Sequence, residues 1–229
     1  MCGRVRLSSD YSELKIRFKV PDDQPAPNLA PNWNGAPTHS MPIVRLDQGR
    51  RLMELAKWGL IPFWAKDAKM AYSTFNARAE ALQTMPSFRE PWKKGRRCLV
   101  PVDNFYEWQK LDPTGKQKQP YAIALPDREI MALAGLWETW KSPTDEIVRS
   151  FTVITTTPNG EMAPIHNRMP VILPPAAWPT WLGEEDAPLE AAAELLAPYS
   201  EHLVVWSVHA DVGNVKNNHA GLVEPIALT

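Results

Sequence analysis

Residues 97–137, RCLVPVDNFYEWQKLDPTGKQKQPYAIALPDREIMALAGLW, hold four short apolar or aromatic runs separated by turn residues. The runs cover 97–102, 106–109, 121–125 and 130–136, and each is bounded by Asp, Asn, Pro or Gly. Short stretches of this composition between such breakers are predicted to be β-strands. Working outward, similar runs recur at 41–46, 52–58, 149–155, 170–173 and 203–208, and Arg4 to Leu7 alternates charged with apolar side chains. Ser9-Asp10 is placed to cap a short helix reaching about Phe18. Two more helices are predicted at 175–182 and 187–197, the latter with Leu189, Leu195 and Leu196 on one side. Residues 21–42 are rich in Pro and Asn without periodicity and read as an ordered surface loop. The predicted fold class is α+β, a single domain over 2–229 in which mostly antiparallel strands form a curved or barrel-like sheet core with a few peripheral helices.

Composition narrows the function classes. The chain has 229 residues, 44% of them hydrophobic and 22% charged, which suits a soluble globular domain, and no apolar run is long enough to span a membrane. Residues 1–20 carry charges throughout and do not read as a secretory signal, so a cytoplasmic location is expected. Two cysteines, Cys2 and Cys98, are too few for a disulfide framework and have no zinc-site spacing; neither a metal nor a cofactor is expected. The net charge of −1 supplies no overall field for nucleic acid, so binding to DNA requires a local basic groove. The 23 prolines and 10 tryptophans point to extended segments and turns rather than long helices.

Cys2 carries distinctive chemistry. Removal of Met1 is expected because residue 2 is small, and Cys2 would then own a free α-amine beside its thiol. Both groups have ordinary pKa values near enough to neutrality to react, at roughly 7.7–8.0 for the amine and about 8.5 for the thiol. The amine can form a Schiff base with an aldehyde, and the thiol can close a five-membered thiazolidine ring; Cys98 has no such amine. An N-terminal cysteine followed by glycine also opens glutamine amidotransferases of the N-terminal-nucleophile class, in which the thiol attacks an amide carbonyl and the α-amine acts as base. An Asn-Gly-Glu segment of the kind used there to hold glutamine occurs only at Asn159-Gly160-Glu161, late in the chain. A plain single-stranded DNA-binding module with an inert Cys2 is the third alternative.

Several segments join Cys2 in a recognisable order. They include Met1-Cys2-Gly3-Arg4, Asn28-Leu29-Ala30-Pro31, Trp58-Gly59-Leu60-Ile61-Pro62, Asn76-Ala77-Arg78-Ala79-Glu80 and Arg97-Cys98-Leu99-Val100-Pro101. Phe105-Tyr106-Glu107-Trp108, Ala134-Gly135-Leu136-Trp137-Glu138, Ile165-His166-Asn167-Arg168-Met169-Pro170 and Val212-Gly213-Asn214-Val215-Lys216-Asn217 follow. Together these resemble the SOS-response-associated peptidase (SRAP) family, the abasic-site processing proteins, across nearly the whole chain. Asn104 stands where that family often has Gly, and Pro158-Asn159-Gly160 varies the segment before the histidine loop.

The resemblance implies an enzyme that senses abasic sites in single-stranded DNA and crosslinks to them through Cys2. It also implies lyase-like chemistry, with an autopeptidase activity limited to exposing Cys2. Asn76, Glu107 and His166 are implied as the remaining catalytic residues. A carboxylate at Glu107 suits proton transfer during carbinolamine formation and dehydration, although an acid between two aromatics in a strand otherwise reads as solvent-facing. His166 can protonate a sugar ring oxygen near neutral pH, and Asn76 offers both a donor and an acceptor to align groups.

For the DNA, the family positions supply Arg4, Arg78, Arg168 and Lys216 as phosphate ligands. Trp64, in the loop around Pro62, is the candidate for base stacking; Trp58, Trp137, Trp178 and Trp181 read as packing residues. The run Lys93, Lys94, Arg96 and Arg97 is a secondary basic candidate. A monomer that meets single-stranded DNA with abasic sites and no membrane is the expected form.

Overall fold

The computed structural model describes residues 2–227. Met1, whose removal is expected, and positions 228–229 of the predicted single domain lie outside the described residues. At the start of the chain β1 (Val5–Leu7) leads into α1 (Tyr11–Phe18). The helix begins where predicted because Asp10 accepts from the Glu13 N–H while the Glu13 carboxylate accepts from the Asp10 N–H. It ends at Lys19, which takes a left-handed conformation.

The Pro- and Asn-rich segment contains a strand that local pattern does not reveal, β2 (Asn32–Gly35), and is followed by β3 (Ser40–Asp47) and β4 (Arg50–Trp58). β3 and β4 form a hairpin from Asp47 opposite Arg50 to Ser40 opposite Lys57. Its two-residue turn, Gln48-Gly49, has φ of 48° and 77°, the sense of twist that lets a tight hairpin close. Next come β5 (Asn76–Arg78), α2 (Arg89–Lys93), β6 (Arg97–Val102), β7 (Asn104–Lys110) and β8 (Lys118–Ala124). The long β9 (Met131–Lys141) and β10 (Ile147–Thr156), the short β11 (Met169–Pro170), the helices α3 (Trp178–Leu182) and α4 (Leu189–Glu194), and β12 (Val204–Ser207) complete the chain.

Five strands close a ring. β4 pairs with β3, β3 with β6, β6 with β9 and β9 with β10, all antiparallel, and β10 returns to β4 in parallel at Phe151 opposite Trp58. β5 and β11 then attach to the far half of β10, β5 in parallel and β11 antiparallel. The second sheet, in the order β12-β8-β7-β1-β2, is antiparallel throughout. One buried apolar cluster runs through both sheets, joining Val5 and Phe105 of the second sheet to Val44, Leu99 and Leu133 of the barrel. The α+β class with an antiparallel, barrel-like core is therefore the observed one.

Two predicted elements shrink. The 187–197 helix is only Leu189–Glu194, because Pro188 caps its start and Pro198 follows closely. The 170–173 strand pairs only over Met169–Pro170, with an isolated bridge between Leu133 and Ile172 beyond it.

Candidate active site

Cys2 stands at the head of β1, and its side chain is fully buried within the shared core. Three bonds position the segment. The Asn76 Nδ2 donates to the Cys2 carbonyl at 2.6 Å, the Tyr106 N–H donates to the Arg4 carbonyl at 2.9 Å, and Val5 pairs with Phe105 of β7. Asn76 opens β5, whose parallel pairing puts it opposite Val153 of β10. Its Oδ1 is buried and has no hydrogen-bond partner among the described residues.

Glu107 is 3% exposed, so the solvent-facing reading of this strand position does not hold. Parity explains the outcome. Glu107 shares a face of β7 with Phe105, which belongs to the core cluster that contains Cys2, whereas Tyr106 and Trp108 pack on the other face with Val208, Val212 and Leu222. Both faces of this strand are covered, and the acid falls on the side of Cys2. Burial pushes the Cys2 thiol far above the ordinary thiol range, and the Glu107 carboxylate raises it further. The thiol is thus held protonated at neutral pH.

His166 is half-buried in the loop before β11. The His166 Nδ1 faces both the Arg168 N–H at 3.0 Å and the Arg168 carbonyl at 3.1 Å, so the ring is fastened to the backbone of Arg168 in either neutral tautomer. The Gln109 Nε2 donates to the Pro164 carbonyl at 3.1 Å and ties this loop to β7, two residues beyond Glu107. At its other end the Arg168 guanidinium spans both carboxylate oxygens of Glu80, at 2.5 and 2.9 Å, and donates to the Thr155 carbonyl at 2.6 Å. That pairing holds the Glu80 carboxyl down at about 2. Cys2, Asn76, Glu107 and His166 therefore come from four separate places in the fold, the head of β1, β5, β7 and the loop before β11.

A family model described as SOS response associated peptidase (SRAP) matches residues 1–215. The chain belongs to that family. YoqW of Bacillus subtilis (strain 168), named an abasic site processing protein, is 38% identical over 98% of this chain and 99% of its own length. HMCES of Mus musculus, which bears the same description, is 28% identical over 100% of this chain and 77% of its own. A crystal structure of a Bacteroides thetaiotaomicron protein matches with a TM-score of 0.86 at 27% identity, covering 99% of this chain and 100% of that one.

The cations of this SRAP chain differ in how free they are. Arg78 is exposed and lies two residues along β5 from Asn76, on the same face. Lys216 is exposed. Arg168 is taken up by Glu80, as described. Arg4 is half-buried, donates to Asn34 Oδ1 at 3.0 Å and to the carbonyls of Val212 and Gly213, and lies 5.9 Å from the centre of the Trp108 ring. The secondary basic run splits, since Arg96 turns to the buried Glu138 and Arg97 to the Trp181 carbonyl while Lys93 and Lys94 stay exposed. Trp64 is 47% exposed, whereas Trp58, Trp178 and Trp181 are buried and Trp137 lies half-buried beneath Arg45, Arg96 and Arg149.

Asn34 went unnoticed in the sequence, where a lone asparagine in a Pro- and Asn-rich segment reads as a turn residue. It is 1% exposed. Among the described residues no group of three or more His, Cys, Asp and Glu forms a metal-binding cluster, and no helix is long and apolar enough to cross a membrane.

Proposed function

We propose that the chain handles abasic sites in single-stranded DNA by trapping their aldehyde on Cys2, shielding the lesion as a covalent thiazolidine. The observation that carries this reading is the bond from Asn76 Nδ2 to the Cys2 carbonyl, at a Cys2 buried in the core on the same side of β7 as the buried Glu107. A protonated thiol is a poor first nucleophile. The order of steps follows. Once Met1 is lost by hydrolysis of the Met1–Cys2 bond, the α-amine of Cys2 adds to the aldehyde carbon and gives a carbinolamine. The Glu107 carboxylate takes up the proton that the carbinolamine nitrogen releases and passes it to the departing hydroxyl, water leaves, and an imine remains. The thiol sulfur then adds to the imine carbon while its proton passes to the imine nitrogen. Ring closure is intramolecular, where effective molarities reach about 10⁵–10⁸ M, so it follows readily.

His166 protonates the ring oxygen of the closed sugar and so exposes the aldehyde. The unpartnered Asn76 Oδ1 accepts from a sugar hydroxyl. Arg78 and Lys216 meet phosphates directly; Arg4 adds its charge from the carbonyl cluster, and Arg168 positions the His166 loop through Glu80. Trp64 stacks on a neighbouring base, a contact worth about 1–3 kcal/mol. The autopeptidase activity extends no further than Met1.

The test is a denaturing gel of the purified chain with single-stranded DNA carrying one abasic site. A shifted band is expected from the wild type and none from Cys2→Ala or from a form that retains Met1. Equal binding without any denaturation-resistant band leaves a non-covalent DNA-binding module, and ammonia release from glutamine selects the amidotransferase. With Glu107→Gln the band is expected to form at least about a hundredfold more slowly, the low end of the roughly 10²–10⁴-fold range of a positioned acid or base, and with Asn76→Ala about tenfold more slowly.

A further inference from the structure

The segment Val212-Gly213-Asn214-Val215-Lys216-Asn217 is distant in sequence from the N-terminus, yet it is bonded directly to the strands that carry Cys2. Asn34, on β2, donates from Nδ2 toward the carbonyls of Val212, Asn214 and Asn217, at 3.2, 3.0 and 3.0 Å. Two amide protons are thereby shared among three acceptors that converge on one buried nitrogen. The Asn34 Oδ1 accepts from Arg4 Nη1, which also donates to the Val212 carbonyl, and Arg4 Nη2 reaches the Gly213 carbonyl at 3.0 Å. One carboxamide therefore joins β2, the turn at 212–217 and the side chain two residues from Cys2. A second bond reinforces it, from the Trp33 N–H to Asn218 Oδ1 at 2.7 Å.

We infer that Asn34 is a positioning residue for Cys2, acting by clamping Arg4 and the 212–217 turn into one unit that holds β1 in place. The Arg4 carbonyl accepts from the Tyr106 N–H, one residue before Glu107, so this clamp also sets Cys2 relative to the acid. The clamp adds a second anchor to the nucleophile's strand, besides the Asn76 bond to the Cys2 carbonyl. The inference rests on the trapping reading given above.

The test measures crosslinking rate against protein concentration, which separates the maximal rate constant from the half-saturating concentration. Asn34→Asp keeps the size and the acceptor for Arg4 but sets a carboxylate against three carbonyl oxygens. A maximal rate about tenfold lower is expected, in line with the cost of small misplacements in oriented reactions. Half-saturation should change less than the maximal rate, because Arg4 and Lys216 keep their charges in the variant. Hydrogen exchange of the Tyr106 amide should rise together with that of 212–217. If the Asp variant does not fold, Asn34→Ser carries the same expectation. An unchanged maximal rate, or a loss confined to half-saturation, overturns the inference while the wild-type crosslink upholds the trap. A wild type that makes no Cys2-dependent crosslink overturns both.

Discussion

A buried thiol resists ionisation, and this chain has two of them. Burial pushes both Cys2 and Cys98 far up, with Glu107 adding to the first and Glu54 to the second. Below about pH 8 a thiol is neutral in the folded and the unfolded chain alike, so it adds no pH dependence. Above that, only the unfolded chain releases the proton, and stability falls by up to about 1.4 kcal/mol per pH unit for each thiol. Urea unfolding between pH 7 and 10 should show this slope, and Cys98→Ala should remove about half of it. Glu107→Gln takes away the charge that raises Cys2, so alkylation of Cys2 should extend to lower pH even as crosslinking slows. A thiol more resistant in that variant would contradict the placement of Glu107 beside it.

Among the elements, strands that stand between breakers were legible because local composition and pairing agree there. β2, β5 and α2 were not. The three residues of β5 owe their extended form to parallel pairing with β10, a contact that no local pattern announces. Glu107 shows the same limit, since alternation says only that it opposes Tyr106 and Trp108. Which face meets Cys2 is decided by the barrel packing on one side of β7 and the 208–223 segment on the other. The resemblance to SRAP proteins, not periodicity, picked out Asn76, Glu107 and His166.

Two elements yield tests of their own. A Cβ at Gly135 would lie 2.9 Å from both Cys98 Sγ and the Thr152 carbonyl, inside the barrel ring. Gly135→Ala is expected to cost about 1–3 kcal/mol in chemical denaturation. The Glu80–Arg168 pair that holds the histidine loop has its carboxyl pulled below the usual range. Its contribution is therefore complete above about pH 4.5 and disappears only as pH falls through about 2. Because Glu80 is 59% exposed, Glu80→Gln should cost at most about 1 kcal/mol of stability. It should nevertheless raise hydrogen exchange across residues 163–168 at pH 7, and unchanged exchange would show that the loop does not depend on the pair.

At the scale of the whole molecule, the net charge of −1 leaves exposed cations such as Arg78 and Lys216 on the surface. Arg168 is paired with Glu80 and Arg4 is bonded to Asn34 and two carbonyls, so under the proposed function Arg78 and Lys216 are the cations that meet phosphates. Two contacts to a single strand give a slope of log affinity against log salt of about −1.4. Filter binding to abasic single-stranded DNA by the Cys2→Ala chain checks this number, and Arg78→Ala should flatten the slope by about 0.7. A slope near zero would remove the cations from the interface. Mass spectrometry of the denatured adduct after nuclease and protease digestion reads the trapped bond itself. The expected product is an N-terminal peptide that begins at Cys2, lacks Met1, and carries the abasic sugar with the loss of one water. A sugar found on Cys98 or on a lysine, or on Cys2 with Met1 still attached, would contradict the account.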